Sequence, residues 1–309
     1  MSQTHWNKFW EQGFITTFGD AMRDNYQGPL RELWQDIFSR VKSHGRILDI
    51  ATGSGALACI ALQTSDQLVL DLEVLASDFA IIPENIKASD EIASLRKRIT
   101  FFSHMPCENL GFPDRHFDLI TSQFGIEYGD WKRSVPEVFR VLNDSGNADF
   151  FCHREQAKIL KNSKSEIAVY RSALEEFKIF NAARNFAKAL ADQGKASQDD
   201  SRLLNQTINA FRSDHPGQQL ASMMVADIAS QLKKLRTLAP GEVFERLKER
   251  ESEYSAALAR LDDMVNAALS DDDVKAVINL ATSTGFKAVT TQDFYHQGDL
   301  VGIHIHLEK

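Results

Sequence analysis

Cysteine is scarce in this chain of 309 residues: Cys59, Cys107 and Cys152 lie far apart, with no CxxC spacing. An odd, scattered set excludes a disulfide framework or a zinc ribbon, and it fits free thiols in a reducing compartment. Long apolar runs are missing too. No stretch approaches the 18 or so residues that cross a bilayer, so no membrane insertion is expected. A surplus of positive charge is also lacking. Net charge is −8, and residues 1–150 carry 14 Lys and Arg against 21 Asp and Glu. Nonspecific nucleic-acid affinity comes from clustered Lys and Arg, so no nucleic-acid partner is expected. Residues Met1 to Trp6 show neither the basic nor the apolar region of a signal peptide, which points to the cytoplasm. There is no internal repeat and no low-complexity segment.

What is present suits a soluble globular protein, with 43% hydrophobic and 25% charged residues. The length allows one large domain with an elaboration, or two domains. Residues 1–44 are rich in aromatics (Trp6, Phe9, Trp10, Phe14, Phe18, Tyr26, Trp34, Phe38) and end in a helix expected over Leu30–Val41. Residues 45–153 alternate short apolar strands (Arg46–Ile50, Leu72–Ser77, Phe117–Thr121, Ala148–Cys152) with helices expected at Ala56–Thr64, Ile81–Arg98 and Ser134–Leu142. Such alternation predicts βαβ units and a mostly parallel sheet. Residues 154–270 read almost entirely as helix, broken at Gly194–Ser201 and Pro240-Gly241. The chain closes, over 271–309, with a further helix and two strands, Ala288–Thr291 and Leu300–Leu307.

Within the helical stretch, Phe244, Leu247, Tyr254, Leu258, Leu261, Val265 and Ala268 recur at spacings of three and four, with Glu251 interrupting the seam. This heptad stripe serves either packing within the chain or a homodimer interface.

The strand Arg46-Ile47-Leu48-Asp49-Ile50 empties into Ala51-Thr52-Gly53-Ser54-Gly55, and an apolar helix follows. Glycines at such a turn let a ligand approach the backbone, and the helix start offers free N–H donors. Asp49 inside the turn would repel a pyrophosphate but suits an ammonium group. A second acid, Asp78, ends the next strand, where it can accept hydrogen bonds from ribose hydroxyls. A ligand with a ribose, a positively charged amino-acid end and no phosphate is S-adenosylmethionine.

These residues resemble the class I S-adenosylmethionine-dependent methyltransferases, in the branch of the ubiquinone/menaquinone biosynthesis methyltransferases. The family pattern (D/E)-x-G-x-G-x-G is met by Asp49, Gly53 and Gly55, with Ala51 in place of its first glycine. Pro106-Cys107-Glu108-Asn109-Leu110-Gly111-Phe112-Pro113-Asp114 followed by Phe117-Asp118 resembles the next motif, with Pro106 replacing the acid that usually meets adenine. Ser122-Gln123-Phe124-Gly125 matches the segment lining the cofactor, and Glu137–Gly146 matches the stretch before the fifth strand. The resemblance implies a Rossmann-like α/β fold, a seven-stranded class I methyltransferase sheet formed by 45–153 and 271–309. Residues 154–270 would be a large helical insertion, a lid or a dimerisation arm, and 1–44 a lid segment. It implies that Tyr26, Asp49, Ala51, Thr52, Gly53, Ser54, Gly55, Asp78, Phe79, Met105, Cys107, Glu108, Gln123 and Phe124 bind S-adenosylmethionine.

Glu127, Tyr128 and His153 follow strand ends at the expected crevice, and are the candidate catalytic residues; a histidine near neutrality suits a base for a hydroxyl or amine. Phe18 and Arg154 are the candidates for the acceptor. His304 and His306 alternate with apolar residues and share one face of the last strand, which reads as a polar face rather than a metal site. The expected function is methyl transfer to O, N or C of a small molecule. Cyclase or lyase use of the same cofactor, or a catalytically silent binding protein, are the alternatives.

Overall fold

The computed structural model describes residues 4–193 and 197–309; Gly194, read above as a break, lies outside them. The chain divides into two compact units, residues 1–160 with 263–309, and residues 161–262. The first unit holds one seven-stranded sheet of order β3-β2-β1-β4-β5-β7-β6. Its strands are β1 (Arg46–Ile50), β2 (Glu73–Ser77), β3 (Thr100–Phe102), β4 (Phe117–Gln123), β5 (Leu142–Cys152), β6 (Ala288–His296) and β7 (Asp299–Glu308). β1 to β5 pair in parallel, whereas β7 runs antiparallel to both β5 and β6.

Both faces of the sheet are covered, so most residues of its central strands β1 and β4 are buried. One core joins the sheet to α5 (Trp131–Val141) and α11 (Asp271–Thr284) through Val135, Val138, Val274 and Val277. The other joins it to α2 (Gly28–Ser39), α3 (Ala56–Leu68) and α4 (Asp90–Arg96) through Trp34, Phe38, Leu57, Ile60 and Ile92. Proline in the first turn starts α2. Ser270 caps α11 in a reciprocal box with Asp273, so the acidic triplet Asp271–Asp273 opens this helix.

The helix expected over Ile81–Arg98 shrinks to α4. Pro83 lacks an N–H, and Ser89 caps the helix by accepting from the Ile92 N–H, so residues 79–89 run as a loop at the edge of the sheet. The short β3 follows that helix and was not legible in the sequence. At the N-terminus, α1 (Thr4–Trp10) is a seven-residue helix.

The second unit is helical: the greater part of α6 (Lys158–Arg171), one π-helical turn (Ser172–Glu176), α7 (Ile179–Gln193), α8 (Gln198–Asp214), α9 (Gln219–Lys233) and most of α10 (Pro240–Ala267). Phe180, Phe211, Met224 and Leu247 are buried in it. Glu251, the residue that interrupts the stripe, pairs with Arg184 at 2.9 Å.

On the half of the sheet formed by β5, β7 and β6, Asp149 is buried, and one carboxylate oxygen lies 2.8 Å from both His304 Nε2 and His306 Nδ1. Those hydrogen bonds hold the Asp149 carboxyl below its usual pKa against the opposing effect of burial, and the Asp149 contact raises that of His306. A lowered carboxyl stabilises the fold above its unfolded pKa and loses that contribution as pH falls through the folded value. A raised imidazole does so below its unfolded pKa and loses it as pH climbs through the folded value. The two overlap between about pH 4 and pH 6.5. Asp149→Asn should therefore cost most there, about 1–3 kcal/mol, and less at pH 8. Melting curves across pH check this; a cost that is flat with pH refutes it.

Candidate active site

The glycine turn is held from below by Asp49. That carboxylate is buried under the turn, accepts from the hydroxyl of Thr52 and lies 3.2 Å from that of Thr121. Burial, the largest influence, pushes its pKa up to about 7. Asp78 is bound into the same turn. Its two oxygens accept from Gly53 N and Ala80 N, each at 2.7 Å, and burial pushes its pKa up to about 6. Gly53 and Gly55 adopt positive φ, and a Cβ at Gly55 would press on the Phe101 ring at 2.8 Å.

Above the turn lies a cavity of about 360 Å³, within the range of small-ligand sites. Tyr26, Ala51, Thr52, Gly53, Asp78, Phe79, Cys107, Glu108, Gln123 and Phe124, all expected at the cofactor, line it. So does Tyr128. The remaining expected residues stand elsewhere. Asp49 lies beneath the turn, and Ser54 and Gly55, although part of it, are not on the cavity wall. Met105 is not on the wall, and its N–H is taken by the Asp78 carbonyl at 2.9 Å. Phe18 is 36% exposed and packs edge-on against Tyr26. Arg154 is buried in ion pairs with Asp271 (2.5 Å) and Asp293 (3.2 Å), away from the cavity.

Glu127 and His153 form a buried pair behind the wall. One Glu127 oxygen accepts the His153 backbone N–H and lies 2.9 Å from its Nδ1; the other has no hydrogen-bond partner among the described residues. The imidazole stacks on the Phe124 ring with centroids 4.2 Å apart, and Tyr128 meets it edge-on. Phe124 itself has φ +53, an uncommon conformation for a bulky residue, held by its N–H on the Phe151 carbonyl at 2.7 Å.

Several wall residues carry no signal in the sequence. Gly129 reaches the cavity from the segment before α5, and Arg133 from the first turn of that helix. Trp6 and Trp10 reach it from α1, whose aromatic pattern is equally that of an amphipathic helix packed on the domain. Ala51, standing where the family pattern has glycine, takes φ +51, and its methyl group fills the space opposite Gly125. A Cβ at Gly125 would fall 2.6 Å from it and 2.8 Å from Ser122 Oγ. Gly125→Ala should thus destabilise by about 2 kcal/mol, and adding Ala51→Gly should restore part of the loss. Additive losses in urea unfolding of the double variant would refute the contact.

The donor set fits S-adenosylmethionine. Asp78 and Thr52 can meet hydroxyl and ammonium groups, and Gln123 Nε2, a buried N–H donor without a hydrogen-bond partner among the described residues, can meet a carboxylate; its carbonyl is already used by Trp34 Nε1 at 2.5 Å.

Comparison with known proteins agrees. The family described as ubiE/COQ5 methyltransferase matches residues 15–241, a span that continues well into the stretch 154–270 expected to be an insertion. The ubiquinone/menaquinone biosynthesis C-methyltransferase UbiE of Xanthomonas oryzae pv. oryzae is 27% identical over 217 residues, 66% of this chain and 75% of that protein. The demethylmenaquinone methyltransferase of Thermus thermophilus is 33% identical over 106 residues, 34% of this chain and 46% of that protein. A solved structure from Methanococcus maripaludis, assigned to the S-adenosyl-L-methionine-dependent methyltransferases, aligns over 100% of this chain and 93% of its own at 13% identity, with a TM-score of 0.45.

Proposed function

Since the chain belongs to the ubiE/COQ5 methyltransferase family and S-adenosylmethionine is its cofactor, we propose that it methylates a flat, largely apolar small molecule. The observation that carries this reading is the wall of the cavity. Thr52, Asp78 and Gln123 put polar groups at the ends of β1, β2 and β4, and Glu108 and Arg133 add charge elsewhere on the wall, while Trp6, Trp10, Phe79, Phe124 and Tyr128 supply aromatic surface. Aromatic rings bind flat apolar bodies through area and ring geometry together.

The cofactor supplies, when bound, a methyl group activated on a sulfonium and open to in-line displacement. The protein's task is then alignment and exclusion of water. Thr52, Asp78, Gln123 and Tyr26 hold the donor side. Phe124 and Tyr128 set the plane against which the acceptor lies. His153 and Glu127 act through them as positioning residues: the imidazole fixes the Phe124 ring, and Glu127 fixes the imidazole. Glu108 accepts from the Asp130 N–H at 2.8 Å through one oxygen, leaving the other to orient a polar group of the acceptor. No helix among the described residues is long and apolar enough to cross a membrane, which agrees with an acceptor met in water or at a bilayer surface.

The test is incubation of the protein with S-adenosylmethionine and a fractionated metabolite extract. Methyl-labelled product is expected in the low-molecular-weight fraction, with S-adenosylhomocysteine formed in equal amount. Label confined to protein or nucleic acid would refute the small-molecule reading. Cofactor consumption that yields methylthioadenosine would favour the lyase alternative.

A further inference from the structure

The two tryptophans over the glycine turn belong to a helix that cannot hold itself. α1 has seven residues, well below the length at which an isolated helix persists in water, so its position depends on tertiary anchors. Its Trp10 ring lies directly on Gly53, where no Cβ could be accommodated, and its Trp6 ring meets Tyr128 edge-on at 5.6 Å. Both rings form part of the cavity wall.

The anchor comes from the far end of the chain. One oxygen of Asp263, the residue at which the chain re-enters the first unit, lies 2.6 Å from His5 Nε2 and accepts from Trp6 Nε1 at 3.0 Å. Asp263 is 257 residues from Trp6, and both its side chain and that of His5 are mostly buried. A carboxylate can only accept, so two ring N–H groups of successive residues are donated to a single charged oxygen. A second, neutral tie runs from the Ile81 N–H to Asn7 Oδ1 at 2.8 Å. That tie holds the middle of the helix, whereas Asp263 holds the end that carries Trp6.

We infer that Asp263 is a positioning residue that latches the tryptophan roof over the cofactor site, so that cofactor enters and leaves when α1 releases it. The latch makes no contact with the reacting atoms; it sets how often the roof is open. Weakening it raises the rates of cofactor entry and release together and changes affinity less than either rate. A residue that only supported the fold would lower stability without this paired acceleration. The inference rests on the cavity being the cofactor's site.

Hydrogen exchange and S-adenosylhomocysteine binding test it on the full chain. Asp263→Ala should speed amide exchange in residues 5–13 by about tenfold or more, with β1 and β4 unchanged. Asp263→Asn keeps the shape and one acceptor, and should fall between. Trp6→Phe keeps the ring and removes its donor, and should loosen the same segment, with little further effect when combined with Asp263→Ala. Association and release of S-adenosylhomocysteine, followed by stopped-flow tryptophan fluorescence, should both accelerate in Asp263→Ala. Exchange at wild-type rates in residues 5–13, or loosening spread evenly over the first unit, would overturn the latch. Local loosening with unchanged release would overturn the gate. If the wild type does not bind S-adenosylhomocysteine, the cofactor assignment of the cavity fails, and exchange in residues 5–13 still decides whether Asp263 holds α1.

Discussion

Replacing Arg96 with leucine should destabilise the protein by about 2–4 kcal/mol and sharply weaken cofactor binding. Arg96 ends α4 and is 8% exposed. Its guanidinium donates to three carbonyls: Ser54 (3.0 Å), Glu84 (3.0 Å) and Pro83 (2.6 Å). It also lies over the Phe101 ring at 4.9 Å, the ring that closes on Gly55. The side chain thus ties the loop after β2 to the underside of the glycine turn. Leucine would keep most of the packing and leave the three carbonyls without their donor. Lysine should rescue poorly, because an ammonium is a compact point charge without the rigid fork that spans several carbonyls. Urea unfolding and calorimetric titration with S-adenosylhomocysteine would measure the two effects. A leucine variant within about 0.5 kcal/mol of wild type would show that the clamp contributes little.

Asp78→Ala should weaken S-adenosylmethionine binding by about 1.5–3 kcal/mol, roughly 10- to 150-fold. The carboxylate has two tasks here, since one of the two N–H groups it holds at 2.7 Å, that of Gly53, belongs to the turn that receives the cofactor, while the other, that of Ala80, belongs to the loop after β2. Asp78→Asn separates them: it keeps an acceptor for the turn but removes the charge. Its affinity should fall between wild type and the alanine variant. Unchanged affinity in both variants would remove Asp78 from the cofactor site.

The same burial predicts a pH dependence with opposite signs for folding and for binding. Asp49 and Asp78, raised to about 7 and about 6, hold protons in the folded apoprotein over a range where the unfolded chain has lost them. Between about pH 4 and pH 7 these two groups therefore make the apoprotein less stable as pH rises. A ligand with an ammonium and ribose hydroxyls prefers the ionised carboxylates. Cofactor affinity should accordingly rise toward pH 7, by at most about tenfold per pH unit for each carboxyl that must ionise, and level off above it. Titrations at pH 5, 6, 7 and 8 would show this, and affinity independent of pH would mean that neither carboxyl ionises on binding.

Much of the fold was legible because its signals are local. Strands at Arg46–Ile50 and Phe117–Thr121 are short segments with apolar centres (Ile47, Leu48 and Ile50; Leu119 and Ile120), as befits a parallel sheet covered on both faces. The turn at Ala51–Gly55 was legible because few residues tolerate positive φ there, and the acids Asp49 and Asp78 because strand ends converge on one edge. The helix over Ile81–Arg98 was read too long. Its apolar spacing continues through the loop, and the sequence does not show that Arg96 would turn inward to satisfy Ser54, Pro83 and Glu84 instead of facing water.

The candidate site divides along the same line. Sequence alone determined the βαβ order, the glycine turn with its two acids and the cofactor they imply, because each depends on residues that are neighbours along the chain or at the ends of adjacent strands. Only the tertiary structure decided which of those residues meet the cavity. It placed His153 behind Phe124, committed Arg154 to Asp271 and Asp293, and laid Trp10 on Gly53. It also brought Asp263 to His5 and Trp6 across most of the chain. Such contacts depend on the direction of a side chain and the approach of distant segments, which spacing along a sequence does not encode.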